Sequence, residues 1–221
     1  MTDRRSYGDP CGIARALDLL GERWALLVVR ELVLGPKRFT DLRSGLPGLS
    51  PDVLTERLRD LEQAGIVRRR TLAPPAGSRV YELTGWGREL EPVLVALGRW
   101  GSRAPFPPGG AGLGVDAFVV ALKTLFDPSA SGGLTASVEL RLDGQTFHAR
   151  VNGKRLELMR ASADRPDAII EGDTRSLSAV LWHGRRLSEA RRAGDIKVEG
   201  SRPAVERFLN LFPQPKPAAA S

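Results

Sequence analysis

The stretch from Ser50 to Leu83 constrains this chain more than any other. Ser50-Pro51 reads as a helix N-cap followed by proline at the first helical position, and Leu54, Leu58 and Leu61 then recur at i, i+4 and i+7 until Gly65. Past that glycine the apolar period shortens from 3.6 to 2. Ile66 to Leu72 and Arg79 to Leu83, with Tyr81 and Leu83 on one face, read as the strands of a hairpin around the tip Ala73-Pro74-Pro75-Ala76-Gly77-Ser78. A helix with a single apolar stripe that runs straight into a hairpin must bury that stripe on elements earlier in the chain. Its opposite side, Asp52, Glu56, Arg59 and Gln63 with Thr55 at the shoulder, is left free to touch something else.

The earlier elements are legible. Asp9-Pro10 starts a first helix over 10–20 with Ile13, Leu17 and Leu20 at helical spacing. A second runs from Trp24 to Leu34, its apolar face (Trp24, Leu27, Val28, Leu32) broken only by Glu31, and stops at Gly35-Pro36. A short third helix, Phe39 to Arg43, ends in the turn residues Gly45, Pro47 and Gly48. After the hairpin, Thr84 caps a final helix carrying Leu90, Val93, Leu94, Leu97 and Trp100, to about Gly101. Three helices, a tight turn and a hairpin behind the third exposed-faced helix make a winged helix-turn-helix. In that architecture the recognition helix, here 50–64, enters the major groove while the wing lies along the backbone or minor groove. Thr55, Glu56 and Arg59 carry groups suited to base edges, Glu towards cytosine and Arg towards guanine, and Ser50 and Asp52 stand at the leading end of the same helix. Arg38, Thr40, Arg69, Arg70, Ser78 and Arg79 are placed as phosphate holders. Glu56, Arg59 and Asp60 would equally form ion pairs on the helix surface, and spacing alone does not separate the two readings.

Charge supports a polyanionic partner through its placement. The net charge is +7, and residues 37–79 hold nine bases against five acids, an excess equal to the surplus of the whole segment 1–110. Other classes are disfavoured. Cys11 is the single cysteine and cannot form a disulfide within the chain; His148 and His183 stand in no metal-ligand spacing, so no metal is expected. No nucleophile elbow or Ser-His or Cys-His pair is recognisable, and the glycines at 109–114 match no nucleotide-binding fingerprint, which argues against an enzyme and against a cofactor. No apolar run reaches the ~20 residues of a membrane span and the N-terminus lacks a secretory signal, so a cytoplasmic location without membrane contact is expected.

Ala104 to Gly114 reads as a linker, dividing a DNA-binding domain (1–104) from a second domain (115–213), with 105–114 between them and a disordered tail over 214–221. The second domain alternates helices with strands at 135–142, 145–151, 156–160, 168–171 and 196–199. Asp143-Gly144 and Asn152-Gly153 mark tight hairpins. The fold class is α+β: a winged helix-turn-helix followed by a mixed α/β domain with helices on a mainly antiparallel sheet.

Two resemblances follow from the residues. Cys11, Leu-Leu-Gly-Glu-Arg-Trp (19–24), Arg-Phe-Thr-Asp-Leu (38–42), Leu-Thr-Glu-Arg-Leu-Arg-Asp-Leu-Glu-Gln-Ala-Gly (54–65) and Tyr-Glu-Leu-Thr (81–84) resemble the HxlR-type winged-helix regulators. That resemblance implies a homodimer, joined through helix 10–20 and helix 85–101, on a palindromic double-stranded DNA operator. It also makes Cys11 a candidate redox sensor, while a purely structural thiol fits equally. Arg-Pro-Asp-Ala-Ile-Ile-Glu-Gly-Asp (165–173), Leu-Trp-His-Gly (181–184) and Ala-Arg-Arg-Ala-Gly-Asp-Ile-Lys-Val-Glu-Gly (190–200) look like the sterol-carrier-protein-like fold. That implies a hydrophobic small-molecule ligand, with Phe118, Leu122, Leu125, Leu177, Leu181, Trp182, Phe208, Leu209 and Phe212 as candidate lining, although their helical spacing is also that of an ordinary core. Together these imply a transcriptional regulator whose operator binding responds to the ligand. The other reading is a lipid carrier that uses its winged helix to bind protein.

Overall fold

The computed structural model describes residues 6–73, 77–105 and 112–218. Pro74, Pro75 and Ala76 of the expected hairpin tip, positions 106–111 of the expected linker and positions 219–221 of the expected tail lie outside the described residues. The chain forms two compact units, Met1–Leu94 and Val95–Ser221.

In the N-terminal unit α1 (Gly12–Leu20), α2 (Ala25–Leu32), α3 (Phe39–Gly45) and α4 (Pro51–Gln63) precede the strands β1 (Val67–Thr71) and β2 (Arg79–Leu83), then α5 (Gly85–Arg88) and the start of α6 (Leu90–Gly101). The leucine stripe of α4 goes inward as its spacing requires: Leu54, Leu58 and Leu61 are 0–1% exposed against Val28, Val29, Leu42, Leu46 and Ile66. Full burial of each such side chain contributes ~1.5–3 kcal/mol. Ser50 caps α4, its Oγ accepting from Val53 N at 3.3 Å. The hairpin pairs antiparallel from Val67↔Leu83 to Thr71↔Arg79. Lys37 adds a rung on the other side of β2, donating N–H to Tyr81 O at 3.0 Å and accepting from Tyr81 N at 2.8 Å. The turn between α2 and α3 therefore holds the wing by its backbone.

Several expectations need correction. The first helix begins at Gly12, because Asp9 Oδ1 takes the N–H of Cys11 at 2.8 Å and leaves Cys11 as the N-cap residue. Ile13 and Leu17 on it are exposed. Glu31, expected to interrupt the apolar face of α2, is itself buried at 1% exposure. The final helix is two pieces: Thr84 caps the single turn α5, accepting from Gly87 N at 3.0 Å, and the chain breaks at Glu89 before α6. Gly87 makes that turn possible, since a Cβ there would lie 2.1 Å from Ile66 O. The two units divide within α6, ahead of the expected linker. Beyond that division α6 packs on α7 (Val115–Leu125): a Cβ on Gly98 would meet Thr124 Cγ2 at 3.0 Å, and Arg99 Nε donates to Thr124 O at 3.2 Å.

The rest of the C-terminal unit follows the expected order, with a 3-10 turn at Pro128–Ser131 added. β3 (Thr135–Leu142), β4 (Gln145–Asn152), β5 (Arg155–Met159), β6 (Ala168–Gly172) and β7 (Ile196–Gly200) alternate with α8 (Thr174–Trp182) and α9 (Leu187–Arg192), and α10 (Arg202–Leu209) follows. Strand order is β5-β4-β3-β6-β7, every neighbouring pair antiparallel except β3 with β6. The mainly antiparallel mixed sheet is thus present. Val138, Leu140, Phe147, Ala149, Val151 and Ile170 occupy one face and are buried with Phe118, Leu122, Leu177, Val205 and Phe208 from the helices. The other face is polar, and Glu139 and Arg141 pair on it at 2.8 Å.

Candidate nucleic-acid interface

The outward side of α4 is free. Asp52, Thr55, Glu56, Arg59 and Gln63 are all exposed on the side opposite Leu54, Leu58 and Leu61. They are not equally available. Thr55 Oγ1 donates to Pro51 O at 2.9 Å, and Glu56 Oε1 receives Arg57 at 3.0 Å. Arg59 has no ion-pair partner among the described residues, so its full guanidinium fork is presented outward. Of the two readings left open above, surface pairing claims Glu56, and Asp60 pairs with Arg57 at 3.1 Å; Arg59 stays out of it.

The supporting cations divide in the same way. Arg38 and Thr40 are exposed at the start of α3, where Arg38 N donates to Asp41 Oδ2 at 3.2 Å. On β1, Arg69 pairs with Glu62 of α4 at 3.0 Å and lies over the Tyr81 ring at 5.3 Å. Arg68 and Arg70 share one carboxylate, Glu82, at 2.6 and 3.1 Å. Glu82 is buried at 7% exposure, so a single acid under the wing restrains two of its bases. Arg79 is exposed with no ion-pair partner among the described residues, and Ser78 is half-buried. The local excess of positive charge is therefore carried outward by Arg38, Arg43, Arg59 and Arg79.

Two residues that position this surface escape a reading by residue type. Arg57 is 7% exposed and reaches Glu22 at 3.6 Å, Glu56 and Asp60, tying α4 to the turn after α1. Its Nε has no hydrogen-bond partner among the described residues. The signal was the wheel itself, because 54, 57, 58 and 61 make one stripe and Arg57 lies within it. Glu31 is the second. It receives Lys37 Nζ at 2.6 Å and Arg30 at 2.8 Å, and Gly45 at the end of α3 leaves it room. The pair joins α2 to the residue that holds the wing.

The candidate ligand-lining residues fall into three groups. Phe118, Leu122, Leu177, Trp182, Phe208 and Phe212 are buried core. Phe118 and Trp182 rings stand 5.4 Å apart, and Trp182 Nε1 donates to Phe212 O at 3.2 Å. Leu125 is half-buried at the end of α7. Leu181 and Leu209 line an open groove of about 340 Å³ with Val180, Leu187, Arg185 and Glu206, between α8, α9 and α10. Cys11 is exposed at the start of α1 and is a free thiol. Among the described residues no cluster of His, Cys, Asp and Glu could hold a metal ion, and no helix is long and apolar enough to cross a membrane.

Fold and surface define the N-terminal unit as a winged helix-turn-helix of the kind found in transcriptional regulators. The pattern of the HxlR-like helix-turn-helix family matches residues 19–105. The HTH-type regulator sll1512 of Synechocystis is 46% identical over 96 residues, covering 43% of this chain and 70% of that protein. The regulator YodB of Bacillus subtilis is 39% identical over 85 residues, covering 38% of this chain and 76% of its own length. The chain belongs to the HxlR-like helix-turn-helix family. A sec-alkylsulfatase of a Pseudomonas species overlaps 46% of this chain and 16% of its own, with 16% identity and a TM-score of 0.43, a likeness too slight to bear on activity.

Proposed function

We propose that this protein is a homodimeric, sequence-specific DNA-binding regulator of transcription that reads a palindromic operator with α4 and grips the flanking backbone with the wing. The observation that carries this reading is the two-sidedness of α4: leucines buried at 0–1% on one side, and on the other an exposed row centred on an unpaired Arg59. Ser50, Asp52, Thr55, Glu56 and Arg59 face the bases; Arg38, Thr40, Arg69, Arg70, Ser78 and Arg79 hold phosphates. Dimerisation through helix 10–20 and helix 85–101 is supported by apolar exposure. Neither α1 nor α6 has a buried residue, and Ile13, Leu17, Val93, Leu97 and Trp100 are 45–75% exposed. Two-fold symmetry would set the half-sites about one helical turn apart.

The C-terminal unit is the ligand-receiving part in this reading. Its support is the open groove at Val180, Leu181, Leu187 and Leu209, bordered by Arg185, Glu206 and Asn210, which leaves room for a small amphipathic molecule where the core at Phe118 and Phe208 is filled. The ligand alters operator affinity only by binding one dimer geometry more tightly than the other. Cys11, exposed and free, is the thiol on which oxidants would act; Cys11→Ser with unchanged release of DNA by oxidant removes it from the account.

The test is fluorescence anisotropy on the DNA upstream of the protein's own gene against random duplex. Arg59→Ala is expected to cost ~1–3 kcal/mol on the operator and little on random DNA, whereas Arg70→Ala weakens both alike. Equal losses for Arg59→Ala on both duplexes, or no specific complex at moderate salt, sinks the reading.

A further inference from the structure

The C-terminal unit carries a charged concavity that neither operator contact nor the groove at Leu181 and Leu209 uses. Residues 185–207 hold seven bases against four acids, an excess of three that equals the surplus of the whole segment 111–221. Folding gathers four of those bases around one groove of about 510 Å³: Arg191 and Arg192 from the end of α9, Lys197 from β7 and Arg202 from the first turn of α10. Ile196, Val198 and Ser188 complete the lining, and no carboxylate belongs to it.

The other cations of this unit do not explain the arrangement. Arg185 pairs with Asp195, Arg141 with Glu139, and Arg160 with the buried Asp116. In the groove, Lys197 and Arg202 lean on carboxylates outside it, Glu171 at 2.9 Å and Glu206 at 3.1 Å. Arg191 and Arg192 have no ion-pair partner among the described residues. Cations in the last turn of a helix are favoured by its carbonyl end. That accounts for Arg191 and Arg192, but not for Arg202, which lines the same groove from another helix. Like charges drawn into one concavity repel, and an anion bound among them reverses the sign of that interaction.

We infer that this groove binds a compact polyanion, namely a phosphorylated small molecule with two or more negative charges. The guanidinium forks of Arg191 and Arg192 match phosphate oxygens in pairs. The volume lies in the ~300–1,000 Å³ range of small-molecule sites, and the concavity suits such a ligand better than a rod of duplex. Ile196 and Val198 offer an apolar floor for its uncharged part.

Isothermal titration calorimetry of the full chain with inorganic pyrophosphate at constant ionic strength tests this. Wild type is expected to show saturable binding. The Arg191→Glu/Arg192→Glu variant should lose it by tenfold or more, and Arg202→Gln, a milder change, should weaken it several-fold. Lys154→Glu, in the turn between β4 and β5, should leave it unchanged, with thermal unfolding of each variant confirming a folded protein. No saturable heat with wild type, or equal weakening by Lys154→Glu, overturns the site. So does a double variant that keeps pyrophosphate affinity and loses only random duplex, which would make the patch a nucleic-acid contact.

Discussion

Gly45→Ala should destabilise the N-terminal unit although it favours the helix. Gly45 ends α3 without a positive φ, so replacing glycine there gains up to ~1 kcal/mol of helix propensity. A Cβ at this position, however, would lie 2.2 Å from Glu31 Oε2 and 2.9 Å from its Cδ. A carboxylate is normally a flexible obstacle that swings aside. This one is 1% exposed and held by Lys37 at 2.6 Å and Arg30 at 2.8 Å, so moving it abandons charge-assisted bonds inside the protein. Breaking a buried pair costs ~3–5 kcal/mol, which leaves a net loss of ~2–4 kcal/mol after the propensity gain. At ~4–8 °C per kcal/mol for a domain of this size, the melting temperature should fall by about 10 °C or more in thermal unfolding followed by circular dichroism. In a Glu31→Ala background the same substitution meets no obstacle and should be neutral or slightly stabilising. A single Gly45→Ala variant that melts within about 2 °C of wild type, or an equal loss in both backgrounds, would refute the reasoning.

Glu82→Gln should release Arg68 and Arg70 together and raise affinity for random duplex, with a salt dependence steeper by up to two phosphate contacts; an unchanged slope in anisotropy titrations counts against the shared carboxylate. Trp100→Asp should shift the protein from dimer to monomer in sedimentation velocity, and an unaffected dimer would move the interface elsewhere. The N–H of Ala163 and then Arg141 hold the Glu139 carboxyl below its ordinary pKa. A depressed carboxylate contributes stability that is present above its unfolded pKa and disappears as pH falls through the folded value. Glu139→Gln should therefore flatten the acid limb of the stability profile below about pH 4.5, and a variant as acid-sensitive as wild type would contradict it.

Local physics made the order of elements legible. A Ser-Pro cap starts α4 wherever it occurs, three leucines at i, i+4 and i+7 bury one side of it, and Asp143-Gly144 turns a hairpin because both residues take positive φ, 48° and 76°. The free outward side of α4 follows from the same periodicity. What periodicity leaves undecided is which group meets which across long separations. Glu31 looks like an interruption of an apolar face until Lys37 and Gly45 close around it, and Arg57, on the leucine stripe, has no legible distant partner until Glu22, from the turn after α1, arrives beside it. The parallel pairing of β3 with β6 at the sheet's centre joins strands separated by two others in the chain, and no local signal announces it. Packing likewise sorted Phe118, Trp182, Phe208 and Phe212 into core and left two leucines at a groove, and it drew four cations from three elements to the lining of another. Sequence spacing determines the face of a helix; which partner covers that face, and whether the space beside it is filled, is decided only when distant segments meet.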